Sequence, residues 1–203
     1  LSALIFAIVV GVPLGIVGGF YPNTHWDWLA RSIGLMGQTI PSFWLAMILI
    51  IALAIPIDWL PTFGRSGVNS LILPTLALSL GGLGQLTRLT RSVVLEIRSE
   101  HYIRTARAKG LSESRIALRH IARNAALPLV SIIGIQFTYL LGGSVYIETI
   151  FAWPGLGSLL EEAITNSDFP LVQAITIFIS FFAVSINLLN DILYTLLDPR
   201  VRT

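Results

Sequence analysis

Uncharged apolar runs as long as a bilayer is thick restrict what this chain can become more than any other feature. The first occupies residues 1–20 without a single charge, about 30 Å as an α-helix and long enough to span. Hydrophobic residues make up 54% of the 203 and charged residues 12%, roughly half the charged share of about 25% in soluble domains. A soluble core has no use for so many long uncharged runs. Further spans are expected over residues 32–55, 71–89, 125–147 and 171–197. Residues 21–31 and 58–69 read as loops, and 148–170 is too polar to cross. The first run has no basic n-region and no small-residue cleavage site, so it reads as a span and not as a signal peptide. Gly11, Gly15 and Gly19 recur every fourth residue within it, a pattern that lets helices approach closely.

Charge is distributed as unevenly as hydropathy. Nine of the thirteen Lys and Arg residues fall between Arg88 and Arg123, against only Glu96, Glu100 and Glu113. This segment carries +6 while the whole chain carries +2. Positive charge gathers on the cytoplasmic side of membrane proteins, so residues 88–123 are expected inside. By alternation, 58–69 and 148–170 lie outside, while 21–31 and the C-terminus lie inside. Leu1 then starts at the outer face, which implies a further span upstream. The pI near 9.3 follows from orientation and gives no reason to expect nucleic acid.

Residues 99–128 form two short helices around a glycine in this reading. Ser99 is placed to N-cap the first, with Glu100 in its opening turn. Lys109 and Gly110 form a C-terminal stop, and Ser112-Glu113 restarts a helix running to the neighbourhood of Pro128. Tyr102, Ile103 and Ala106 share a face; Arg104, Arg107 and Lys109 project elsewhere. Such a helix is too short and too charged to span, and suits a membrane surface or a partner's groove. Arg115, Arg119 and Arg123 recur every fourth residue and suit lipid headgroups and a protein partner equally.

Catalytic patterns are missing. His25, His101 and His120 all fall in loops, His-Glu-x-x-His is absent, and no Cys/His/Asp cluster has metal-ligand spacing. Cysteine is absent altogether. No Walker-type loop is present, so the chain is expected not to bind ATP by that route and not to be an enzyme. An ion-coupled carrier would place charge at mid-span, and the expected spans hold none there; Asp191 lies near the cytoplasmic end of the last. A non-transporting scaffold is the other alternative. Gln38, Gln85, Gln136, Asn187 and Asn190 are the polar groups within spans. Each suits a hydrogen bond to substrate in a translocation path and equally a bond to a neighbouring helix. Pro41 and the Gly81-Gly82-Gly84 cluster suit kinks at a gate or simple packing.

Residues Tyr102-Ile103-Arg104-Thr105-Ala106-Arg107-Ala108-Lys109-Gly110-Leu111-Ser112 resemble the cytoplasmic EAA loop of ABC-transporter permeases in its peptide/nickel-importer form. The resemblance extends over Ile40-Pro41-Ser42-Phe43-Trp44, Phe151-Ala152-Trp153-Pro154-Gly155-Leu156-Gly157 and Leu197-Asp198-Pro199-Arg200. It implies an all-α integral membrane protein with the ABC type I permease fold: a single transmembrane domain over 1–203, five spans and a cytoplasmic coupling loop over 98–124. It also implies that Glu100, Tyr102, Ile103, Arg104, Thr105, Ala106, Arg107, Ala108, Lys109 and Gly110 dock against a cytoplasmic ATPase. The translocation path would draw on Gln38, Pro41, Gln85, Gln136 and Asn187. Trp153, Pro154 and Gly155 would meet a solute-binding protein outside. The implied partners are a second homologous permease, two ABC ATPases that carry ATP and Mg, the binding protein and membrane lipid, in the inner membrane of a bacterium or archaeon. Dipeptides, oligopeptides, glutathione, nickel chelates and sugars all remain open as substrates.

Overall fold

Helix α1 (Ser2–Phe20) lies along most of α4 (Ile72–Ser99), from Thr75 to Arg98, and the two run in the same direction. The glycine stripe makes this possible. A Cβ at Gly15 would come 2.6 Å from the backbone oxygen of Thr87 and from Thr90 Cβ, so only glycine permits the observed approach. The computed structural model describes residues 1–197, and among these every regular element is helical. The Asp198-Pro199-Arg200 pattern lies outside the described residues.

Helix α2 (His25–Thr39) runs back against α4, with Gly37 level with Leu80 and Gly84. The chain then breaks at Ile40-Pro41 and turns by 104° into α3 (Ser42–Leu49), which continues through a wide turn to Ala54. Proline has no amide hydrogen and disfavours helical geometry at the preceding residue; Ile40 accordingly adopts extended backbone. The start of α2 touches Arg91 near the end of α4. Ala54 and Leu60 pack with Leu73 near its beginning, together with Ile147 and Phe151. The bent pair therefore reaches from one end of α4 to the other and crosses the bundle as one broken span. Four helices are long and apolar enough to cross a membrane, and this pair makes a fifth crossing.

Several sequence expectations need correction. Residues 21–31 are not a loop throughout, because α2 already begins at His25, where the amide of Asn23 donates to Asp27 Oδ2 at 2.8 Å. The helix that holds the third span does not stop at residue 89. Arg91 and Arg98 find acceptors on Asp27 and the Phe20 carbonyl, so α4 carries its cations onward to Ser99. Ser99 is not an N-cap: its hydroxyl donates back to the Glu96 carbonyl at 2.7 Å, and Glu100 is the extended residue that opens α5 (His101–Ala108). Nor does the following helix end near Pro128. A short α6 (Glu113–Ile116) passes through a wide turn over Ala117–Ile121 into α7 (Ala122–Ile150), which holds Pro128 in its interior. Helix α8 (Leu156–Thr165) lies across the far end of α7, and α9 (Phe169–Leu197) packs beside α7 with most of its surface exposed.

Candidate functional site

The basic end of the bundle carries α5 on a mount of apolar side chains. Ile103 and Ala106 are buried against Val94, Ile116 and Ile121, with Ile16, Phe20, Ile97 and Leu111 around them. This corrects the reading of α5: its apolar face packs on the chain itself, so Ile103 and Ala106 are not part of any surface offered to a partner. What remains outward is Glu100, Tyr102, Arg104, Thr105, Ala108, Lys109 and Gly110, with Arg107 half-buried.

The ends of α5 are tied down separately. Gly110 has φ +78°, and the amides of Lys109, Gly110 and Leu111 bond back to the carbonyls of Thr105, Arg107 and Ala106. That left-handed stop is the one expected from Lys109-Gly110. Arg107 Nε and Nη2 donate to Glu113 Oε1 and Oε2 at 2.6 and 3.2 Å, joining α5 to α6. The guanidinium holds the Glu113 carboxyl below its usual range, and the carboxylate raises Arg107 in turn. Asn124 Nδ2 donates to the Tyr102 hydroxyl at 2.9 Å, joining α5 to α7. A push on α5 thus reaches α4 and α7 through packed atoms and side-chain bonds.

Behind this mount lies a charged clamp. Asp27 is fully buried and accepts hydrogen bonds from Arg31, at 2.5 Å, and from Arg91 of α4. Arg98 donates to the carbonyl of Phe20 at the end of α1. Three helices are therefore joined by ionic or charge-assisted bonds where they meet the basic end. Sequence reasoning passed over Asp27; the only local signal was Arg31 one turn later.

The residues proposed for a path separate into distinct roles. Gln136 is buried and donates to Gln85 Oε1 at 2.5 Å, binding α7 to α4. Gln38 is exposed and accepts from Arg88 Nη1 at 2.9 Å, one helical turn beyond Gln85. Pro41 is exposed at the break; Asn187 is exposed on α9 and is not bonded to the other four. At the far end, the Trp153 amide donates to the Glu148 carbonyl at 2.7 Å, and Arg65 stands 5.9 Å from the Trp153 ring. Pro154 is exposed, while Trp153 and Gly155 are half-buried.

Residues 11–203 match the family described as the binding-protein-dependent transport system inner membrane component. The chain belongs to this family. It is a multi-pass inner-membrane permease subunit of an ABC importer. A peptide transport system permease protein of Brucella abortus is 43% identical over 212 residues, covering 100% of this chain and 68% of that protein. The glutathione transport system permease protein GsiC of Escherichia coli is 38% identical over 202 residues, covering 100% of this chain and 66% of that one. The permease fold is shared with two inward-facing crystal forms of the MetNI methionine ABC transporter. They match with TM-scores of 0.77 and 0.79 at 19% and 18% identity, over 97% of this chain and 89% of theirs.

Proposed function

We propose that this permease forms half of the pathway for peptide-class solutes, short peptides or glutathione-like compounds, as its two named relatives suggest. The exposed side of α5 docks in a cleft of a cytoplasmic ABC ATPase, which carries ATP and Mg. The basic end, residues 88–123 and the C-terminus face the cytoplasm. The segment around Trp153-Pro154-Gly155 faces outward toward a solute-binding protein, and a second permease completes the pathway. The observation that carries this reading is the mounting of α5. One face is packed and bonded to α4, α6 and α7, and the other is free and polar. A helix held this way transmits displacement from a partner into the spans, as an anchor lying loosely on lipid would not.

Reconstitution of the permease with its ATPase, second permease and binding protein tests the reading. Uptake of labelled dipeptide or glutathione into proteoliposomes should require ATP and survive ionophores that collapse ion gradients. Uptake by this chain alone, driven by a proton or sodium gradient, would overturn it.

A further inference from the structure

We propose that Arg88 and Gln38, beside the break between α2 and α3, form a carboxylate-binding station on a water-facing side of the bundle. The identity of the ligand rests on the importer reading above; the site itself rests on three observations.

The first is depth. Gly37, two residues before the end of α2, sits so tightly on α4 that a Cβ there would lie 2.5 Å from the Leu80 oxygen and 2.8 Å from Gly84 Cα. Leu80 to Gly84 lie about 12–18 Å along α4 from its start, near the middle of a hydrocarbon layer of about 30 Å, and Arg88 lies about 24 Å along it, between this level and the basic end.

The second is exposure. Gln38, Thr39, Pro41, Phe43 and Trp44 all stand open at this break, and the amides in the first turn of α3 have no intrahelical acceptors. Interrupted backbone at such depth is tolerated against protein or a water-filled cavity, and not against lipid.

The third is charge. Arg91 shares the Asp27 carboxylate with Arg31, and Arg107 is paired with Glu113. Arg88 is exposed, and among the described residues its side chain has only the neutral amide of Gln38 as acceptor. A guanidinium has five donors in a planar fork that fits a carboxylate with two parallel bonds. Gln38 takes one donor, fixes the fork beside the break and leaves the others free. Peptides and glutathione carry the carboxylate that such a group binds. Gln38 was visible in the sequence as a polar group within a span, whereas Arg88 looked like one more member of the basic segment.

The absence of cysteine from these 203 residues allows a direct test in the complete importer. Thr39→Cys is introduced alone and together with Arg88→Gln. Reaction with anionic and cationic methanethiosulfonate reagents is followed by the mass of this chain, each rate being normalised to free cysteine. An uncompensated cation beside the new thiol should favour the anionic reagent about tenfold, and Arg88→Gln should abolish that preference. Millimolar dialanine should slow the anionic reaction, and dialanine amide should not. No reaction with either reagent would place the break against lipid or protein and overturn the station. Reaction without charge preference, or equal protection by the amide, would leave a wet break with no carboxylate site and would also overturn it. Labelling does not depend on the energy source, so failure of ATP-driven uptake alongside a normal labelling pattern would sink the importer reading and spare the site.

Discussion

Glu148, near the far end of α7, accepts hydrogen bonds from the backbone amides of Gly157 and Ser158 at 2.7 and 3.1 Å. A carboxylate at the start of a helix satisfies orphan amides and complements the helix dipole. It fixes α8 across the end of α7 and leaves no room for a Cβ at Gly155, which would collide with the carboxylate itself. The Trp153-Pro154-Gly155 turn is thereby held against Glu148, and only Pro154 is fully open.

Glu148→Ala should release α8 at a cost of about 1–2 kcal/mol, the usual range for a lost helix cap. Glu148→Gln, which keeps an acceptor but loses the charge, should cost less. Limited proteolysis across residues 153–165, with thermal unfolding in detergent, measures both. If Glu148→Ala protects the segment as well as the parent does, the cap contributes nothing to holding it.

The clamp at the other end makes a sharper prediction. Asp27→Ala leaves two guanidinium groups facing a vacated site. Breaking one side of a buried pair costs about 3–5 kcal/mol, and the loss should sit at the low end because Arg31 is 42% exposed. Arg31→Ala should cost no more than about 1 kcal/mol, since its guanidinium is partly open to water. The double variant Asp27→Ala with Arg91→Ala should be more stable than the two single losses imply. Strict additivity in thermal unfolding would mean that Asp27 and Arg91 are not coupled.

These two sites show where the sequence was readable and where it was not. Residues 1–20 and 171–197 emerged within two residues of the observed helices, because an uncharged run of bilayer length has few alternatives. The stop at Gly110 was equally legible, since φ +78° is cheap for glycine alone. Asp27 was not, because its decisive partner Arg91 is distant in sequence and becomes a neighbour only when α2 folds back on α4. The same pairing explains why α4 runs on past the apolar run: Arg91 and Arg98 find acceptors on neighbouring helices, so the helix continues to Ser99. On α5 the apolar face was recognised but its occupant was not, because periodicity cannot tell the chain's own core from a partner's groove.

Acid should loosen the mount of α5 in a defined direction. Hydrogen bonding from Arg107 holds Glu113 below its ordinary value of 4.5, burial opposes this, and the charges of Arg107 and Arg98 add to the lowering. A depressed folded-state pKa means that the pair's contribution is fully present above pH 4.5 and is lost as pH falls through the lower folded value. A fluorophore on Ala108→Cys should therefore gain mobility on acidification below that point. Glu113→Gln should give the mobile signal already at neutral pH and remove the acid limb. An unchanged acid limb in Glu113→Gln would assign the transition to another group.

Three substitutions on and beside α5 should separate its two faces. Ala106 is buried against the chain's own Val94, Ile116 and Ile121, so Ala106→Asp places an unpaired carboxylate in that cluster and should unfold the mount. Loss of the ATPase would then follow from instability of the permease, visible as a lower unfolding temperature before any partner is added. Arg104 is exposed, so Arg104→Ala should leave thermal stability within about 0.5 kcal/mol and act, if anywhere, on ATPase co-purification. Gly110 has open space around a Cβ, so Gly110→Leu causes no clash. Its cost, about 1–2 kcal/mol, comes from the left-handed backbone alone. Relieving that strain would let α5 run past its stop and turn the helix that begins at Glu113. We expect Gly110→Leu to retain the ATPase while uncoupling hydrolysis from uptake. Co-purification, unfolding temperature and substrate-stimulated hydrolysis on all three variants decide the matter. A stable Ala106→Asp permease that fails only to bind the ATPase would mean that Ala106 faces the partner after all. Normal coupling in Gly110→Leu would mean that the angle between α5 and α6 carries no force.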